Sequence, residues 1–419
     1  MSSGDGMGDD FALDGPVSPS ISQWGQSGEE CLREFTTALF GHLPRVDQHR
    51  WAQLYLEALL ATPGKKSVRR LAATVSNSAA TAQSLRNFLN SSPWEWDPVM
   101  RELSAWTARR GPVRAWSIGT ALLPKRGDRS AGVHQHFDSH SGRTLNCQVA
   151  VGAFLCVGRA HVPVDWRLFM PFSWTNDLIR RQMARIPDSE GHRPLWAQAL
   201  ATVDGLAESS EPVPVVADIG SSPDVRHLVQ GLSRRGYAAV VRVPERIKVI
   251  PFERGSGLPG LTTAKACLSK GTVADIDVPL SGGPGRQRVR VRSAPVRLPG
   301  VEDGVSARSD LQYQLFTESE PGNRDGAVWI TTLPRRVLVE AVELSGLAAG
   351  TVDAVAVMGS SLGLMDFEGR SYPGWYHHMA LVSAAYAFRS LGGGSAPFGE
   401  GASACGRGTP AVELDAECG

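Results

Sequence analysis

Three stretches predict a chain of mixed α+β and α/β class. The first is Trp116–Val151, where strand-like runs at Ala115–Thr120, Ala131–His140 and Leu145–Phe154 are joined by Pro-Lys-Arg-Gly and Ser-Gly-Arg turns into a three-strand meander. The second is the apolar run Val213–Asp218, followed by a Gly-Ser-Ser-Pro turn, a helical run at Asp224–Arg235 and a strand at Tyr237–Val243. The third is the helical period of the residues ahead of the meander.

A meander followed by strand, helix and strand, with a carboxylate at the tip of a core strand, is the layout of an RNase H-like mixed sheet core. At 419 residues, 42% hydrophobic and 20% charged, the chain has material for two or three domains. The expected divisions are a disordered tail at 1–25, an N-terminal helical DNA-binding domain at 26–110, and the first part of the core at 111–243. A β-rich insertion at 244–330, C-terminal core helices at 331–391 and a second disordered tail at 392–419 follow.

The helical domain opens at Glu29–His42, with Ser27 and Glu30 as a capping pair, and continues in a helix capped by Asp47 whose Trp51, Leu54, Tyr55, Ala58 and Leu59 share one face. A short basic helix, Lys65–Ser76, capped by Ser67, is followed by a second at Ala79–Leu89. Such a pair can dock as a helix-turn-helix, placing Lys65, Lys66, Arg69, Arg70 and Arg86 against DNA. A helix at Glu95–Arg110 completes the unit. Further helices are expected at Asn176–Arg185, Pro194–Glu208, Arg335–Gly346, Thr351–Leu362 and Gly374–Leu391.

The formal net charge is +1, so affinity for nucleic acid has to come from local patches. Lys125 and Arg126 at the first turn are one. Another is Arg286-Gln-Arg-Val-Arg-Val-Arg292, whose alternation puts Arg286, Arg288, Arg290 and Arg292 on one strand face; such a row either contacts phosphates or guards an exposed edge. Six cysteines without a CxxC pair, no secretory signal and no apolar run near the roughly 18 residues of a membrane span predict a reduced cytoplasmic protein. No cysteine zinc site is expected, and no membrane partner.

Several motifs resemble those of bacterial insertion-sequence transposases of the DDE type, whose RNase H-like core is interrupted by a β-rich insertion. They are Leu43-Pro-Arg-x-Asp47-Gln with Arg50-Trp51; Ser92-Pro-Trp-x-Trp-Asp-Pro; Pro124-Lys with Gly127 and Ser130-x-Gly-Val133; Asn146-Cys-Gln-Val-x-Val151; Pro163-Val-Asp-Trp-Arg-Leu168; Val216-Ala-Asp218; and Leu362-Gly-Leu with Phe367-Glu-Gly-Arg-Ser371. The resemblance runs from about residue 35 to about residue 390. It implies double-stranded DNA as partner, a homodimer, and three carboxylates holding two Mg²⁺ ions. Laid on this chain, the first acidic pair falls on Gly119 and Thr120, the second acid on Asp218, the third on Val352, and a basic member on Gly359. Only Asp218 is retained, so the expected protein binds DNA, without strand transfer, as a domesticated regulatory factor and with no resident cofactor.

Two other readings stay open at this point. In one, an active transposase draws its Mg²⁺ ligands from Asp128, Asp353 or Glu368. In the other, the scaffold serves a different reaction through His134, His136 and Asp138, which share a strand face with His140 and have donor types suited to Zn²⁺. A spacing of roughly 20 Å from the first to the last of the row lets at most two neighbours share an ion.

Overall fold

A computed structural model describes residues 25–138, 142–252, 260–279, 285–299, 311–319 and 326–392. Residues 1–24 and 393–419 of the expected tails, and His140, lie outside them. The chain opens with helices α1 (Gly25–Phe40), α2 (Val46–Ala61), α3 (Val68–Val75), α4 (Ala79–Asn90) and α5 (Trp96–Ala108). Helix α1 begins two residues before Ser27, which therefore lies inside it and does not cap it. Helix α2 is capped at Arg45, whose N–H donates to Gln48 Oε1, and Asp47 falls in its first turn. Ser67 caps α3 as expected, accepting from the Arg70 N–H.

The core follows as β1 (Val113–Pro124), β2 (His134–Asp138), β3 (Arg143–Val157), β4 (Ala160–Leu168), short helices α6 (Phe172–Thr175) and α7 (Leu178–Ala184), then α8 (Leu195–Ser209), β5 (Val215–Asp218), α9 (Val225–Arg234) and β6 (Ala239–Val243). Strand β1 is antiparallel to β3 on one side and parallel to β5 on the other, and β5 is parallel to β6. With β4 on the far side of β3, the order β4-β3-β1-β5-β6 is the RNase H-like arrangement.

The meander differs from expectation in its membership. Its third long strand is β4, whereas β2 is a five-residue edge piece paired to the start of β3. Pro163 hides β4 in the sequence because proline removes a ladder donor; it is tolerated beside the register shift at Ala153/Phe154 on this edge strand.

The segment after β6 adds β7 (Lys248–Pro251), β8 (Thr262–Thr263), α10 (Ala264–Ser269), β9 (Thr272–Pro279), β10 (Arg286–Arg297), β11 (Tyr313–Ser319) and β12 (Val328–Thr331). These strands prolong the core sheet, because β12 returns antiparallel to β6 and β11, β10 and β7 follow outward.

The chain ends in α11 (Leu338–Ser345), α12 (Leu347–Ser361) and α13 (Tyr372–Leu391). By length and composition the run Arg335–Ser361 is apolar enough to cross a membrane, contrary to the sequence expectation. Here it divides at Gly346 into α11 against β6 and β9, and α12 against β1, β4 and β5.

Two apolar clusters cover the sheet. The larger joins α1–α5, α8, α9 and α13 to residues such as Trp116, Ile118 and Val215; the smaller sets Ala115, Val216, Val240, Phe316 and Trp329 against Ala341, Leu344 and Ala348. Within the larger, His377 stacks on Trp94 at 3.9 Å and its two ring nitrogens lie 2.8 Å from the Leu89 and Trp94 carbonyls. His378 donates from Nε2 to Gly363 O at 3.0 Å. Burial, aided by Lys125 and opposed by Asp366 and the carbonyls, lowers the His378 pKa from 6.5 to about 4.

The unfolded chain therefore takes up this proton first as pH falls, so stability held above pH 6.5 is lost progressively toward pH 4. His378→Gln, which keeps a donor without a titrating ring, is expected to flatten that acid slope in urea unfolding compared at pH 7 and pH 5.

Candidate functional site

The acid-bearing end of the core is built by three adjacent parallel strands. Gly119 on β1 stands in register with Asp218 at the end of β5. Asp218 in turn meets Arg242 of β6, whose Nη1 lies 2.8 Å from Oδ2. Its other oxygen accepts the Gly220 N–H at 3.4 Å. The lone carboxylate is thus already served by a guanidinium and a backbone amide.

Register also fixes the face. Ser117 and Gly119 look toward α12, where Thr351 Oγ1 donates to Ser117 Oγ at 2.6 Å. A Cβ on Gly119 would come within 2.9 Å of the Thr351 methyl, so the position expected for the first acid is a close approach between strand and helix. Val352, the expected place of the third acid, is an apolar side chain 61% exposed.

The donor set does not fit a two-metal centre. Two hard ions need several converging oxygens, and among the described residues no three His, Cys, Asp or Glu side chains form a metal-holding group. The substitutes weighed from the sequence are dispersed. Asp128 and Glu368 line a groove past the end of β1, with Glu368 3.6 Å from Lys65 Nζ, while Asp353 lines a separate cavity with Arg114, Arg159 and His161.

His134, His136 and Asp138 do share the less exposed face of β2. His134 Nδ1 lies 2.9 Å from Gly132 O and its ring centroid 5.8 Å from that of His136. Burial chiefly, and then His134, lowers the His136 pKa.

The basic residues separate into different environments. Lys65, Arg69, Arg70 and Arg86 are exposed, with Arg70 donating to Pro63 O and Arg86 to Gln83 Oε1. Lys66 corrects the sequence expectation: its side chain is 3% exposed, its Nζ donates to Thr62 O, and burial brings its pKa down to about 8. It packs on Gly363, whose φ of 75° keeps that turn close, so Lys66 is a joint between α3 and the C-terminal segment and presents no charge to DNA.

Lys125 Nζ donates to Phe367 O at 2.8 Å, and burial, opposed by Asp366 and Glu368, also lowers its pKa to about 8. Arg126 beside it is exposed. On β10, Arg288 and Arg290 stand opposite Asp277 and Asp275 of β9, and Arg290 Nε lies 3.0 Å from Asp275 Oδ1; Arg286 donates to Asp277 O and Arg292 to Ser269 O. The arginine row is therefore partly answered by its neighbouring strand.

Arg242 and Thr351 escaped the sequence reading. Arg242 carried a signal, being the single charge in the strand Ala-Val-Val-Arg-Val and the same step along its strand as Asp218 along β5.

An RNase H-like sheet with an acid at the end of its fourth core strand is a nuclease-class scaffold. The chain belongs to the DDE superfamily endonuclease family, whose model matches residues 38–259. Among solved structures, a piggyBac transposase synaptic complex with hairpin DNA, determined by cryo-EM, aligns with 90% of this chain and 81% of that chain at 9% identity and a TM-score of 0.37. A search of curated proteins finds no match.

Gly119→Asp is expected to cost about 1–3 kcal/mol through overpacking. Thr351→Ser, which removes the methyl and keeps the hydroxyl, is expected to restore much of it; thermal melts of the single and double variants measure this. Because the Asp218–Arg242 pair is partly exposed, Asp218→Asn is expected to change stability by less than about 1 kcal/mol in the same assay.

Proposed function

We propose that this family member grips double-stranded DNA without cutting or joining it, as a domesticated descendant of a bacterial insertion-sequence transposase. The observation that carries the reading is the closed site: Gly119 sits opposite Asp218, Thr351 fills the space beside it, and Arg242 supplies positive charge to the one acid. Replacing oxygen ligands by a methyl and a guanidinium removes the means of activating an attacking oxygen and stabilising a leaving one.

Membership of an endonuclease family and the exposed cations of the helical segment and of the β1–β2 turn support DNA as the partner. On this reading the protein holds no resident metal, works as a homodimer in the cytoplasm at the nucleoid, and regulates the sites it occupies.

The test is a titration of the full chain against duplex genomic fragments at low and physiological salt, with a nicking assay in Mg²⁺ and in Mn²⁺ on whatever binds. Salt-sensitive binding with intact strands is the expected result. Strand cleavage that Asp218→Asn abolishes would overturn the proposal.

A further inference from the structure

Two grooves away from Asp218 form one basic surface. The first, about 460 Å³, lies between the turn after β1 and residues 365–370 and is lined by Lys65, Lys125, Arg126, Arg129 and Arg370. The second, about 400 Å³, shares Glu368 and Arg370 with it and continues past Arg86 of α4 to Arg185.

Three observations give the surface its character. Arg126, Arg129 and Arg370 are exposed, and of the groove's three carboxylates Asp366 Oδ2 accepts the Lys66 N–H at 2.7 Å and Glu368 faces Lys65, while Asp128 is exposed between Arg126 and Arg129, so the five cations of the lining outnumber its acids. The floor is held rigid from below. Lys125 Nζ is fixed to Phe367 O, Ser130 Oγ donates to Gly369 O at 3.1 Å, and Ala131 N–H donates to Arg370 O at 3.0 Å. The guanidiniums are thus presented by two segments bonded to each other. The two grooves are also open to solvent, and they draw on five parts of the chain: the start of α3 with the turn before it, α4, the β1–β2 turn, the end of α7 and the C-terminal segment.

A small anion is best enclosed by donors on all sides, while a row of guanidiniums along an open groove suits an extended chain of phosphates. Pro124 is five residues beyond Gly119 on β1, about 17 Å at the rise of a strand. The groove thus lies beyond the Asp218 end of the sheet, at a separation of about half a turn of B-DNA.

We propose that this continuous groove is the track for the phosphodiester backbone of duplex DNA, with Arg126, Arg129 and Arg370 as its principal contacts. The proposal rests on the DNA-binding reading above and deepens it by separating this track from the arginine row of β10.

The experiment compares the full-length protein with Arg126→Gln/Arg129→Gln/Arg370→Gln and with the control Arg288→Gln/Arg292→Gln, by fluorescence anisotropy on a labelled duplex across a salt series. The expected result is at least a tenfold weaker affinity for the groove variant, with a log–log salt slope shallower by about 2–3, since each lost phosphate contact removes about 0.9. The control is expected to bind within about twofold of the parent protein.

Unchanged affinity and slope in the groove variant, with binding by the parent protein, overturn the track alone. No binding by the parent protein at low salt overturns the track together with the reading it rests on. Mass-spectrometric acetylation of the unmodified chain gives a second measurement independent of the variants: DNA is expected to protect Lys65 and leave Lys270 reactive, and equal reactivity of Lys65 with and without bound DNA counts against the track.

Discussion

The helix α13 imposes the constraint on which the rest of the molecule depends. From Tyr372 to Ala387 it is buried almost without interruption, and a helix apolar all round has to be covered on every side. Helices α2, α4 and α5 cover one side and strand β4 another. Polar bonds fix the arrangement: Trp166 Nε1 donates to Ser383 Oγ, the Leu168 N–H to Tyr376 Oη, and His377 meets the Leu89 and Trp94 carbonyls. The N-terminal helices therefore complete the hydrophobic cover of the core's last helix while turning their basic side outward.

The site has a different logic. In a two-metal enzyme, converging carboxylates repel one another until cations enter. Here Arg242 supplies positive charge from the chain itself, and Gly119 beside Asp218 is a close contact between a strand and a helix. Asp218 with Arg242 needs no ion for charge balance, and the Ser117–Thr351 bond closes the sheet against α12 in the space beside it.

Much of the scaffold was legible because it rests on local signals. Apolar runs bounded by turns revealed β1, β5 and β6, and Ser67 announced α3. Strand β4 was missed because Pro163 breaks the expected pattern while the bulge beside it accommodates the ring. The site was half legible. Spacing singled out Gly119, Thr120, Asp218 and Val352 as the positions to compare, and parallel register sets Gly119 beside Asp218. What spacing does not contain is which cation reaches an acid across strands, or whether a lysine's own fold buries it, as with Arg242 and Lys66.

The junction of β6 with β12 has a mechanical consequence. Four residue pairs, Val328↔Val243 to Thr331↔Val240, are reinforced by Thr331 and Thr332 hydroxyl bonds to residues 237–239. One rung of this ladder is Trp329↔Arg242, the residue that neutralises Asp218. The β-rich segment is consequently welded to the core where a lid would need a hinge. The outer strands and the Asp218–Arg242 pair therefore share one support, β6, whose two edges carry the one and the other.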